Sequence, residues 1–185
     1  MPYMDLATLS ARDRILVTAH DLFYRDGIRA TGVDRIIAAS GVAKLTFYRH
    51  FASKDDLVRA FLDYRHERWM AWFVDALGRH GATPGGGLAP LADALAEWFA
   101  DPAFRGCAFI NTVAEVGGSL PGAVATAHRH KDDMRAVIAD LLPAGPAQEA
   151  AARSAAVAVD GAIVQAQMAG GAAAVAALRP LLAGL

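Results

Sequence analysis

The stretch VDRIIAASGVAKLTFYRHF, residues 33–51, does most to limit what this 185-residue chain can fold into. Val33, Ile36 and Ile37 recur at the spacing of one helix face, and Ser40-Gly41 interrupts them. Glycine reaches positive φ without a Cβ clash, so the chain can reverse there within a few residues. A second short helix follows, burying Val42, Phe47 and Phe51 while Lys44, Thr46, Arg49 and His50 point outward. Two helices about such a turn are either a helix-turn-helix, whose second helix enters the DNA major groove, or an ordinary helix pair of an all-α core. The polar face suits the first alternative. Lys44 and Arg49 can meet phosphate or guanine, Thr46 can bond phosphate or pack on a thymine methyl, and Tyr48 can donate to phosphate.

The segment from Arg12 to Leu62, with ILVTAHDLFYRDGIRATGVDRII followed by GVAKLTFYRHFASKDDL, resembles the DNA-binding domain of the TetR family of transcription regulators. The resemblance implies an all-α homodimer, palindromic double-stranded operator DNA, and a helical ligand-binding domain that controls release. Two positions depart from the family pattern: Leu45 stands where a very small residue is usual, and Gly32 where a hydroxyl residue is frequent. Leu45 could make an apolar base contact, whereas Gly32 removes a possible phosphate donor.

Composition agrees with an all-α chain. Apolar residues make up 55%, and Val and Ile never alternate as they would in strands. Net charge is −1, which disfavours indiscriminate nucleic-acid binding, but its distribution is uneven. Residues 1–68 hold 11 Lys and Arg against 9 Asp and Glu, while residues 69–185 hold 7 against 10. The positive end is the one carrying the helix-turn-helix. Cys107 is the single cysteine and fits a reducing cytoplasm. The N-terminal stretch MPYMDLATLSARD lacks the basic and apolar regions of a secretory signal. Near the other end, Asp160, Gln165, Gln167 and Gly170-Gly171 interrupt the most apolar run, so no membrane span of about 20 residues is expected. A soluble cytoplasmic protein is expected.

Ser10 with Asp13 and Ser53 with Asp56 mark two helix starts as capping boxes, and Thr31 or Gly32 caps a third, Thr31 with Asp34 forming another possible box. Arg12 and Arg14, near the first of these starts, either touch the DNA backbone or are simply solvated. Helix four should run from Lys54 to Arg79, linking a helix-turn-helix domain (residues 1–53) to a regulatory and dimerisation domain (residues 54–185). Lys54, in its first turn, suits a DNA phosphate. The segment GATPGGG, 81–87, reads as the most flexible loop.

The expected DNA contacts are therefore Lys44, Leu45, Thr46, Tyr48, Arg49, His50 and Lys54. Trp69, Phe73, Trp98, Phe109, Asn111, Glu115, His128 and Gln165 are the candidate contacts of a small apolar or aromatic effector. Asn111 and Glu115 share one helix face and either orient such a ligand or bond solvent and backbone. His128 lines the pocket or sits at the surface; with Asp132 it makes only half a metal site, so no metal or other cofactor is expected. Cys107 is a sensor thiol or, more simply, a small buried hydrophobe. In the last two helices, the stripe Ala151, Ala155, Val159, Ala162 and Ala166, with Val175, Leu178, Leu181 and Leu182, suits a homodimer interface or closure of the monomer's own core.

The leading reading is a ligand-responsive DNA-binding regulator, in this family most often a repressor. A small all-α enzyme and a helical adaptor are the rivals, and both lack sequence-specific DNA binding. Against the enzyme, the sequence offers no nucleophile–base pair and no phosphate-binding glycine loop.

Overall fold

The computed structural model describes residues 8–185, which contain nine α-helices and no strand. These are α1 (Ala11–Asp26), α2 (Val33–Ser40), α3 (Lys44–His50), α4 (Lys54–Arg79), α5 (Ala89–Phe99), α6 (Ala108–Val116), α7 (Pro121–Asp140), α8 (Gln148–Ala169) and α9 (Gly171–Ala183). Residues 1–7, part of the stretch expected to be no secretory signal, lie outside the described residues. No described helix is long and apolar enough to cross a membrane.

The described chain forms two compact units: residues 8–65 with Ala108–Ala127, and His66–Cys107 with His128–Leu185. Helices α4 and α7 contribute residues to both. Segment 108–127 clusters with the first unit, a grouping that the expected division at residue 53 did not contain.

In the first unit, α1, α2 and α3 pack on one another around Ile15, Ala19, Phe23, Ile36, Phe47 and Phe51, joined by Phe61 of α4. Local chemistry sets the helix ends. Ser10 Oγ accepts from Asp13 N at 3.2 Å, and Ser53 Oγ accepts from Asp56 N at 3.1 Å, each occupying a donor that the first turn leaves open. The possible box at Thr31 is absent. Gly32 is the N-cap of α2 without a side-chain bond, and the Thr31 hydroxyl donates backwards to Gly27 O at 2.7 Å. Thr31 is buried, so its hydroxyl satisfies the loop it sits in rather than the helix that follows.

The second unit is built on α5, α8 and α9, with Leu91, Leu95, Ala155, Val159, Ile163 and Leu178 buried. Gly170, at φ 96°, ends α8 and starts α9, so the expected Gly-Gly break is where the chain turns. The glycine-rich loop is less free than its composition suggests: Gly85 N bonds Asp140 O at 2.9 Å and Gly87 N bonds Leu141 O at 2.7 Å. One correction concerns the small-residue stripe of α8. Ala155, Val159, Ala162 and Ala166 are buried within the unit, where α8 packs closely on α9, so they serve the monomer's core. Val175, Leu178 and Leu182 of α9 are buried as well.

Candidate nucleic-acid interface and effector region

Between α2 and α3 lie only Gly41, Val42 and Ala43. Gly41 sits in the left-handed region at φ 65°, ψ 29°, a conformation that a side chain would strain. Val42 is buried, and Ala43 caps α3, with Phe47 N bonding Ala43 O at 3.0 Å. Phe47 is fully buried and anchors α3 from beneath, its ring 6.3 Å from that of Phe51.

Advancing about 100° per residue, Lys44, Tyr48, Leu45 and Arg49 fall in order along an arc of about 140° on the side of α3 away from Phe47. All four are exposed. Leu45 is 73% exposed and contributes nothing to the core. Lys44 Nζ lies 3.2 Å from Asp34 Oδ1, a surface pair worth little and readily exchanged for a phosphate. Thr46 is half-buried and His50 exposed, and by the same geometry both lie outside the arc. Lys54 is held differently: its ammonium donates to Ile28 O at 2.5 Å and lies 5.9 Å from the Phe23 ring centroid. Burial lowers its pKa, opposed by the charges of Glu115 and Asp55.

Among the expected effector contacts, Trp69, Phe73 and Trp98 come together in the second unit. Trp69 stacks on Phe73 with ring centroids 4.7 Å apart and meets Trp98 edge-on at 5.5 Å. The Trp69 indole N–H is buried without a hydrogen-bond partner. His128 and Gln165 are exposed on this unit. The buried histidine is His130, edge-on to Trp69 at 5.0 Å, its Nδ1 3.2 Å from Nδ1 of His66. Helix phase identifies it, because Ala123, Ala127, His130, Met134 and Ile138 make the buried stripe of α7. Phe109, buried, and Asn111 and Glu115, both half-buried, belong to the first unit on α6. There the Glu115 carboxylate is occupied, accepting from Arg29 N at 2.9 Å. Cys107 is buried.

A short turn, a buried anchor and an exposed polar arc define a helix-turn-helix DNA-binding module on an all-helical chain. Comparison with known proteins narrows the class. Residues 15–61 match the profile of bacterial regulatory proteins of the tetR family. The structure is similar to that of a TetR-family transcriptional regulator from Streptomyces coelicolor, with TM-score 0.83 and 30% identity, covering 94% of this chain and 93% of that one. In sequence, 64 residues are 39% identical to the HTH-type transcriptional repressor KstR2 of Mycobacterium tuberculosis, spanning 32% of each protein. Sixty-two residues are 31% identical to the HTH-type transcriptional regulator QacR of Staphylococcus aureus, spanning 34% of this chain and 33% of that protein. The chain belongs to the TetR family of DNA-binding transcriptional regulators, and it is not an enzyme.

Proposed function

We propose that this protein is a ligand-responsive repressor that binds a palindromic operator as a homodimer and is released by a small apolar or aromatic effector. The exposed arc of α3 is the observation that carries this reading. Nothing in the core explains an exposed Leu45 beside Lys44, Tyr48 and Arg49, whereas a groove offering phosphates, base edges and thymine methyls does. Repression is supported by the likeness to the mycobacterial relative, a transcriptional repressor. Residues 1–53 then form the reading domain and 54–185 the sensing and dimerising part, in a protein that works on DNA in the cytoplasm.

Dimerisation is supported by the outer face of α8. Val157, Gly161, Val164 and Met168 follow one another at steps of four, three and four residues, and all are exposed. Leu181 adds an exposed apolar side chain on α9. A two-fold axis would let these faces cover one another. The aromatic cluster about Trp69 supports an apolar or aromatic effector, and its unpaired indole N–H would favour one carrying an acceptor atom.

Binding to DNA from upstream of the protein's own gene, titrated with salt against a scrambled duplex, tests the reading. One dimer per palindrome, weakening steeply with salt, is the expected result. If selection from random DNA recovers no motif either, the regulator reading fails.

A further inference from the structure

We propose that Glu115 is a positioning residue for DNA reading, which from α6 clamps the loop between α1 and α2 and so fixes the pose of α2 and α3. The proposal rests on the role given above to α3. Glu115 Oε2 accepts from Arg29 N at 2.9 Å, across 86 residues of sequence. Lys54 Nζ donates to Ile28 O at 2.5 Å. The Ile28 carbonyl and the Arg29 N–H belong to one peptide group. A carboxylate from α6 and an ammonium from α4 therefore hold opposite ends of a single peptide dipole, each through a charge-assisted hydrogen bond.

Two neighbours make room for the clamp and brace it. A Cβ on Gly27 would stand 3.1 and 3.2 Å from the two Glu115 oxygens, so the carboxylate lies in space that a larger residue would contest. Gly27 also takes φ 90°, which a side chain would strain. The Thr31 hydroxyl donates to Gly27 O at 2.7 Å and closes the loop on itself.

Helix α2 begins at Val33, a few residues after the clamped peptide. Helix α6 also carries Phe109 and Asn111, two of the candidate effector contacts. Any displacement of α6 must break the Glu115 bond or carry the loop with it. By linkage, whatever favours one position of α6 favours one pose of the reading helices, and operator binding favours that α6 position in return.

Hydrogen exchange on the full chain tests the clamp, comparing wild type with Glu115→Ala and Glu115→Gln. Val58→Ala, a core truncation in α4, serves as the control for general destabilisation. In Glu115→Ala, the Arg29 amide should lose about tenfold or more in protection, the scale of a lost hydrogen bond to a charged group. Residues 33–50 should exchange faster with it, more than in Val58→Ala. Glu115→Gln, which keeps an acceptor oxygen but not the charge, should fall between, and it carries the test if the alanine variant does not fold. Affinity for a duplex selected by the wild type should drop about threefold or more in Glu115→Ala and stay unchanged in Val58→Ala once corrected for folded fraction. Loss of protection at Arg29 alone, or equal effects of the two truncations, overturns the proposal. A wild type that selects no DNA sequence overturns the regulator reading instead, leaving the exchange at 33–50 to decide whether the clamp positions these helices.

Discussion

Leu45 and Phe47 stand about 200° apart around α3, the first 73% exposed and the second without exposed surface. Two apolar residues, two positions apart, thus serve opposite purposes. Leu45→Ala should change stability by no more than about 0.5 kcal/mol, because it uncovers nothing. Phe47→Ala should cost about 3–5 kcal/mol, because it opens a cavity beneath the helix. Denaturant titration separates the two. With the fold intact, the Leu45 variant should show altered preference among operator sequences, and an unchanged preference would remove Leu45 from the reading face.

Arg49 and Lys44 should divide along the same arc. Arg49→Ala is expected to cost about 1–3 kcal/mol on the operator and much less on random DNA, as a base contact does. Lys44→Ala should weaken both similarly and reduce the salt slope by about one unit. Salt titrations on the two duplexes check this, and equal losses for Arg49→Ala would take base reading away from it.

The outer face of α8 makes a prediction about assembly. Val157→Glu places a carboxylate on a residue that is 73% exposed, so the protomer should keep its stability within about 0.5 kcal/mol. Across a two-fold axis each new charge would meet apolar surface or its own copy, and the dimer should dissociate. Sedimentation should then show a monomer that binds the operator more weakly. A dimer undisturbed by glutamate at both Val157 and Met168 would move the interface elsewhere.

How far the sequence alone reached follows from the range of the forces involved. The boxes at Ser10 and Ser53, the turn at Gly41 and the burial of Phe47 are decided within a few residues, and they were legible. The cap of α2 is open between Thr31 and Gly32 in the sequence because a hydroxyl can bond forward to a helix or back to a loop, and only burial settles it for Gly32. His128 sits at the surface, one of its two expected places, while His130 is in phase with Ala127, Met134 and Ile138 and is buried, a spacing that is present in the sequence. For the α8 stripe the sequence leaves dimer seam and monomer core both open, since small residues suit the two equally, and burial decides for the core. A backbone bond is one of the two expected roles of Glu115, but its particular partner is not legible, because it is a backbone amide 86 residues away and leaves no side-chain signal.

Asp26 gives the acid limb of stability a named contributor. Its carboxylate accepts from Arg25 Nε at 2.9 Å and from an Arg35 guanidinium nitrogen at 2.7 Å, joining the end of α1 to α2. The Arg25 hydrogen bond, with help from Arg35, holds its pKa below the ordinary 3.8. A depressed native pKa contributes stability that is full above the unfolded value and fades as pH falls through the native one. The gap in Tm between wild type and Asp26→Asn should therefore be constant from neutral pH to about 5 and shrink below about 3.8. A gap that is the same at pH 3 and pH 7 would show that the charge contributes nothing.

Trp69 carries a conflict between packing and polarity that a substitution can resolve. Its ring is stacked on Phe73 and bordered by Trp98 and His130, yet its indole N–H is buried with no acceptor. Leaving such a donor unpaired costs about 1–3 kcal/mol, a penalty that phenylalanine would not incur. Trp69→Phe gives up ring volume but removes the orphan, so the two effects should nearly cancel, within about 1 kcal/mol by denaturant titration. Phe73→Ala has no such compensation and should cost about 3–5 kcal/mol. If the indole N–H is kept for an effector with an acceptor atom, Trp69→Phe should bind the wild-type operator normally and resist release by compounds that displace the wild type. A screen of aromatic carboxylates, ketones and hydrocarbons on both proteins would check this. Equal release of the two proteins by every active compound would reduce Trp69 to a core residue.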